Sequence, residues 1–230
     1  AEGFKNGSSL PAFRLAQAIN YPRGHLQFPF WHVYLGLQVF LFIGYFFLCC
    51  LLIYRLNLGR NTGLSTRTWL IVFSLKILAS GINLYLYNNI FPRSDVAFFH
   101  WQSMGELKLL WTQPGEFFRE WLLNWGDISG RMNLFNRENT PYWNNLGSLF
   151  HGKFMTLCNI LSLGHIYVNI LFYNLAFFTG QILLYRTFYK AQPHKKWLFL
   201  FAVFLIPSFL FWCSGIHKDG WILTAIGFIG

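Results

Sequence analysis

Between Arg23 and Arg55 the chain carries no Asp, Glu, Lys or Arg, and residues 33–54 are almost wholly Leu, Phe, Ile, Val, Tyr, Cys and Gly. Those 22 positions exceed the roughly 20 apolar residues that a helix needs to cross a bilayer core. A run this long has few homes in a small water-soluble domain, so it predicts a membrane-spanning helix. Composition agrees: 11% of the 230 residues are charged and 21% are aromatic, with 27 Phe, against about 25% charged in an average soluble domain. So much ring area cannot be hidden in a soluble fold of this size. Disorder, collagen-like repeats and a disulfide scaffold are excluded by the same figures.

Further spans follow. Residues 68–90 form a second, interrupted by Lys76. Residues 154–185 are 32 positions without a charge, read as an interfacial approach followed by a third span over 166–186. Residues 197–216 make a fourth, with Pro207 in the middle. From Trp221 a fifth begins, but the ten residues to Gly230 are too few to cross. With Ala1 rather than Met at the start, the chain reads as part of a longer protein. The predicted fold is an all-α polytopic membrane protein, a single transmembrane domain over 1–230 with four spans and the start of a fifth.

Basic residues orient it. The connector with Arg55, Arg60 and Arg67 and the connector from Arg186 to Lys196 contain no acid, and both read as cytoplasmic. The loop over 91–153 holds six basic residues and six of the eight acids and reads as external, as does the segment 1–29 by alternation. The net charge of +10 therefore brackets spans rather than marking a nucleic-acid surface. Every Trp falls near a span end or in the external loop, where a half-buried indole is at home. Cys49, Cys50, Cys158 and Cys213 show no metal or redox spacing and read as small core residues.

The external loop is too long for a passive connector. A helix is expected from Ser94-Asp95 to Gly105 or Thr112. A second amphipathic stretch from Pro114 carries Phe117, Phe118, Trp121, Leu122 and Trp125 on one face and would lie flat on the outer leaflet. Irregular turns are expected over 126–145. No phosphate loop, nucleophile elbow, zinc pair or dinucleotide fingerprint occurs. The candidate chemistry is a set of polar groups at the outer face: Asp95, His100 and Glu106, then His217, Lys218 and Asp219. Within the spans, Lys76, Ser80, Asn83 and Tyr87 recur at helical spacing. A charge at Lys76 must face protein or snorkel to the inner surface. Asp95 also suits a helix cap. His165 and Asn169 suit interhelical hydrogen bonding.

Two segments, FPRSDVAFFH (91–100) and PSFLFWCSGIHKDG (207–220), resemble multispanning bacterial inner-membrane proteins of the GT-C glycosyltransferase type. The second is similar to a PS-x3-W-x-SG-x-x-K-[DE]-G stretch in such proteins of the Bacteroidetes. The resemblance implies an enzyme of the bacterial inner membrane that takes a sugar from a polyprenyl phosphate at the outer face. It implies Asp95 as the catalytic acid, acting as general base or helping to hold a divalent metal. Lys218 is then a phosphate-facing cation, with His100, His217 and Asp219 as substrate-binding neighbours and Lys76 below them. The pattern departs from the family in three ways: two spans precede Asp95 rather than one, fewer than the usual eight are present, and no second acid follows unless Asp219 serves. The competing expectation is a non-catalytic subunit of a larger membrane complex, whose polar stripes and aromatic loop pack against partner subunits. A transporter lined by Lys76, Asn83 and His165 is the third, without the paired intramembrane carboxylates that would favour it.

Overall fold

The computed structural model describes residues 35–90, 95–115, 117–118 and 141–230, leaving aside the side chains of Leu35, Asn88, Asp95 and 141–149. All regular elements among the described residues are helical. In chain order the α-helices include α1 (Leu35–Arg55), α2 (Thr66–Asn89), α3 (Asp95–Thr112), α4 (Pro141–Ser162), α5 (Ile166–Ala191), α6 (Lys196–Leu200), α7 (Pro207–Trp212) and α8 (Lys218–Ile229), with a 3-10 turn at Pro193–Lys195 and a π-helical turn at Phe201–Leu205. Three are long and apolar enough to cross a membrane: Gly36–Arg55, Thr66–Tyr87 and Ile166–Ala191.

Local chemistry sets the boundaries. Ser65 caps α2, its Oγ accepting from the Thr68 amide at 3.2 Å, which satisfies one of the orphan donors of the first turn. Leu163 and Gly164 take left-handed conformations (φ 54° and 80°) and fold α5 back against α4 with almost no connector.

Residues 197–216, expected to form the fourth span, are not one continuous helix. α6 passes into a π-helical turn, Phe201–Leu205, and Ile206 is extended (φ −58°, ψ 126°) before α7 restarts at Pro207. Proline lacks an N–H and disfavours helical backbone angles in the residue before it. The break therefore falls where the sequence demands it, and neither half reaches spanning length. Of the stretch expected to be irregular over 126–145, residues 141–145 are instead helical, because α4 begins at Pro141 and runs without interruption to Ser162; residues 126–140 lie outside the described residues. Trp121, Leu122 and Trp125 lie outside the described residues; Phe117 is fully buried and Phe118 exposed.

Two aromatic cores organise the helices. In the first, Trp69 of α2 sits edge-on to Phe178 and Tyr185 of α5 and to Phe204, at 6.0, 5.2 and 5.4 Å. Such pairs add about 0.5–1.5 kcal/mol each beyond simple burial. Trp69 is thus a core residue rather than an interfacial one: its ring is fully buried and its N–H reaches Thr62 Oγ1 at 3.1 Å. The second core gathers Leu84, Phe99, Met155, Tyr173, Phe177 and Ile216 from α2, α3, α4, α5 and the turn after α7. Beside it a polar chain ties three helices. Asn169 Nδ2 donates to Asn159 Oδ1 (2.6 Å), Asn159 Nδ2 to Ser103 Oγ (2.8 Å), and Ser103 Oγ to the His100 carbonyl (2.7 Å). Asn169 thereby makes the interhelical bond its position suggested. The buried Lys153 of α4 pairs with Glu106 of α3 and lies 4.1 Å above the Phe117 ring.

Candidate functional site

The turn after α7 is where the polar residues of the spans converge. When a helix breaks inside an apolar bundle, its last carbonyls lose their partners, and each must be satisfied from elsewhere. Three side chains do this. Lys76 Nζ donates to the Cys213 carbonyl at 2.8 Å and to Ser214 Oγ at 3.0 Å. Asn174 Nδ2 reaches the Ser214 carbonyl at 2.7 Å, and Asn83 Nδ2 the Phe211 carbonyl at 3.2 Å. Lys76, Asn83 and Asn174 are all essentially inaccessible to solvent. Lys76 therefore does not snorkel; it faces protein and pins the turn.

His217 is fixed by the same layer. Its Nε2 lies 3.1 Å from Asn83 Oδ1, an acceptor whose own amide nitrogen is already committed to Phe211, so Nε2 carries the proton. The ring packs 5.1 Å from Tyr87 and 5.4 Å from Trp212. Gly215 makes this approach feasible. A Cβ there would stand 2.6 Å from the His217 ring and 2.8 Å from Asn83 Oδ1, distances that real Cβ atoms do not tolerate.

Lys218 and Asp219 open α8, where a carboxylate in the first turn favours the positive end of the helix dipole. Lys218 Nζ sits 5.0 Å over the ring of Phe99 from α3. Together these elements line an open cavity of about 240 Å³, formed by Tyr87, Phe99, Trp212, Ile216, His217, Lys218 and Asp219, of which Trp212, Lys218 and Asp219 are exposed. That is below the roughly 300 Å³ at which pockets for drug-sized ligands begin. It suits a compact polar group such as one sugar ring or a phosphate rather than a whole lipid-linked molecule.

Of the residues singled out by sequence, His217, Lys218 and Asp219 share this cavity. Lys76 lies behind the turn, one layer away. Asp95 opens α3 one helical turn before Phe99, so the two positions share a helix face; the Asp95 side chain lies outside the described residues. His100 does not line the cavity. It is neighboured by His165, and burial and then the charge of that second imidazole push its pKa down to about 4.

Sequence reasoning passed over His151. Its ring is fully buried, 4.3 Å from Phe99 and 5.1 Å from Tyr173, and neither ring nitrogen has a hydrogen-bond partner among the described residues. Burial first, then the charges of Lys218 and His217, hold its pKa down to about 3. The folded protein thus keeps His151 neutral while the unfolded chain protonates it near 6.5. Its contribution to stability is complete above pH 6.5 and is lost as pH falls toward 3. Between pH 7 and pH 5 this linkage removes about 2 kcal/mol. The expected result is a melting temperature that drops over that interval in detergent, and a smaller drop in His151→Phe, whose ring fits the same aromatic slot.

The Lys76 pin gives a second expectation. Lys76→Met keeps the side-chain length but strands the Cys213 carbonyl and Ser214 Oγ, each a buried group costing about 1–3 kcal/mol when unpaired. Thermal unfolding should register a loss of about 2–3 kcal/mol, with the cavity residues perturbed before the first aromatic core.

Among the described residues no group of three His, Cys, Asp or Glu is close enough to hold a metal ion; the described lining of the cavity presents a cation, a carboxylate, an oriented imidazole and three aromatic rings. No known protein family, curated protein or solved structure matches this chain.

Proposed function

We propose that the chain is a GT-C-like membrane glycosyltransferase that uses a polyprenyl-phosphate-linked sugar at the outer face of a bacterial inner membrane. The observation that carries this reading is the composition of the cavity. One cation (Lys218), one carboxylate (Asp219) and an imidazole (His217) meet the rings of Tyr87, Phe99 and Trp212 in a volume that suits a single sugar ring, with the exposed Lys218 left to meet a phosphate outside it. The aromatic rings offer faces to the apolar side of a sugar, and the charged groups answer its hydroxyls and a phosphate. Apolar helices around such a site let a lipid-linked donor arrive with its tail still in the bilayer.

In this reading Asp95 takes the proton from the acceptor hydroxyl as its oxygen bonds to the anomeric carbon. The bond from that carbon to the phosphate oxygen breaks, and Lys218 stabilises the charge left on the departing phosphate. His217, held by Asn83, and Asp219 orient the sugar. Lys76 acts at one remove, by fixing the turn that carries His217 and Lys218.

A second reading, a non-catalytic subunit of a larger complex, draws on α1. Only 11% of its apolar window is buried within the chain, and Phe40 and Phe47 are 77% and 66% exposed, a face that could receive another membrane helix as well as lipid. The deciding experiment is a turnover assay of the full-length protein with polyprenyl-phosphate sugars in detergent or vesicles. Release of polyprenyl phosphate coupled to acceptor glycosylation supports the enzyme; no turnover with any donor of this class moves the function to the subunit.

A further inference from the structure

At the end of the bundle opposite the cavity, the two basic connectors come together. Arg186 donates to the Leu58 carbonyl at 2.5 Å and Lys196 Nζ to the Gly63 carbonyl at 3.3 Å. Tyr185 OH bridges the Thr62 and Lys196 carbonyls at 3.1 and 3.3 Å, and the Tyr189 ring packs directly on Gly63. The connector after α1 and the connector after α5 are therefore one surface. Along α2 this surface lies about 30 Å from the cavity, counting 20 residues from Arg67 to Tyr87 at roughly 1.5 Å each.

That surface collects Arg55, Arg60, Arg67, Arg186, Lys190, Lys195 and Lys196, seven of the chain's 18 basic residues, and neither connector contains an acid. Arg55, Arg60, Arg67, Lys190 and Lys195 are exposed. An intramolecular role would pair them with carboxylates, but the connectors supply only neutral acceptors; among the described residues these cations make two hydrogen bonds, both to backbone carbonyls, and one ring contact, Lys196 over Trp197. Large apolar groups stand among the cations: Tyr54, Leu56, Trp197 and Leu198 are 58–66% exposed. Cations alone would suit any polyanion. Cations interleaved with exposed indole, phenol and Leu side chains, at the level where apolar helices end, suit a molecule that has an anionic head and acyl chains.

We propose that the two connectors together form a binding site for anionic phospholipid headgroups of the adjacent leaflet. The site does not depend on the catalytic reading of the cavity. Binding there would hold the α1–α2 and α5–α6 connectors together by bridging cations that otherwise repel.

The test uses the full chain in detergent with equimolar phosphatidylglycerol and phosphatidylcholine, and counts retained lipid by native mass spectrometry. The wild type should retain phosphatidylglycerol at least about five-fold over phosphatidylcholine, the factor equivalent to one basic residue at an anionic surface. The combined variant Arg60→Gln/Arg67→Gln/Lys190→Gln/Lys195→Gln, which alters only exposed side chains, should bring that ratio close to unity. Should it fold poorly, the two connector pairs changed separately should each take away part of the preference. Lys108→Gln, an exposed cation on α3, should leave it unchanged. No preference in the wild type, a preference that survives the combined variant, or an equal loss in Lys108→Gln would overturn the proposal. So would displacement of the lipid by a short single-stranded RNA at equal phosphate concentration, which would make the surface a general polyanion site.

Discussion

If the proposed glycosyl transfer is the activity, Asp95→Asn is expected to reduce it by about 10²–10⁴-fold, the range a positioned general base contributes, while leaving donor binding and the melting temperature close to wild type. The amide keeps the size and hydrogen-bonding shape of the carboxylate but cannot take up a proton. Loss of turnover with unchanged binding of a polyprenyl phosphate would therefore mark a group needed in the transition state rather than for affinity. Lys218→Gln provides the contrast. In the proposed reading it removes the cation set against the leaving phosphate, so donor binding and turnover should both fall, and its effect should be larger at low ionic strength, where charge interactions are least screened. Equal turnover in wild type and Asp95→Asn would remove Asp95 from the mechanism, and attention would pass to Asp219, the carboxylate that lines the cavity.

Gly227→Val should have the largest effect on the fold. α8 packs on α5 backbone to backbone. A Cβ at Gly227 would collide with the carbonyl oxygen of Gly180, and one at Gly180 would lie 2.5 Å from the Thr224 Cα. Neither neighbour is a flexible side chain that can swing aside, so the helices must separate. Close approach through small residues is how helices associate where lipid tails are as apolar as side chains and burial supplies no drive. The expected cost is about 3 kcal/mol, read as a lowered melting temperature in detergent. Because Lys218 and Asp219 ride on α8, cavity binding should weaken in step. Gly44→Ala on α1 is the control: nothing lies within 4 Å of a Cβ there, and the change should be neutral or stabilising by up to about 1 kcal/mol.

Much of the helix map was legible in the chain. Charge-free runs longer than a bilayer core leave little choice, and the expected spans over 33–54, 68–90 and 166–186 correspond to α1, α2 and α5. Lys76, Ser80, Asn83 and Tyr87, spaced along one side of α2, could be read as facing something polar, and three of them are fully buried while Tyr87 reaches the cavity. Legibility stopped where competing local signals met. Pro207 within an apolar run of spanning length allows either a kinked span or a break. Hydropathy cannot choose, because the choice rests on whether partners exist for the freed carbonyls. Trp69 at a helix end looks interfacial until Thr62, Phe178 and Phe204 are brought around it. His151 gave no signal at all, since a histidine in a polar loop is ordinary until a helix buries it.

Solvent preference belongs to the sequence itself: a chain with long runs of Leu and Phe and few charges must find an apolar environment, and its basic connectors must share one end. Those are properties of composition and spacing, summed residue by residue. Which polar groups meet is a property of the packed bundle. Lys76, Asn83 and Asn174 stand far from Phe211–Ser214 in the chain, and only helix packing brings their donors to the carbonyls left open where α7 ends. The cavity with His217, Lys218 and Asp219, and the joined basic surface at the other end, both exist because hydrogen bonds unmade in an apolar interior are costly enough to dictate which helices face each other.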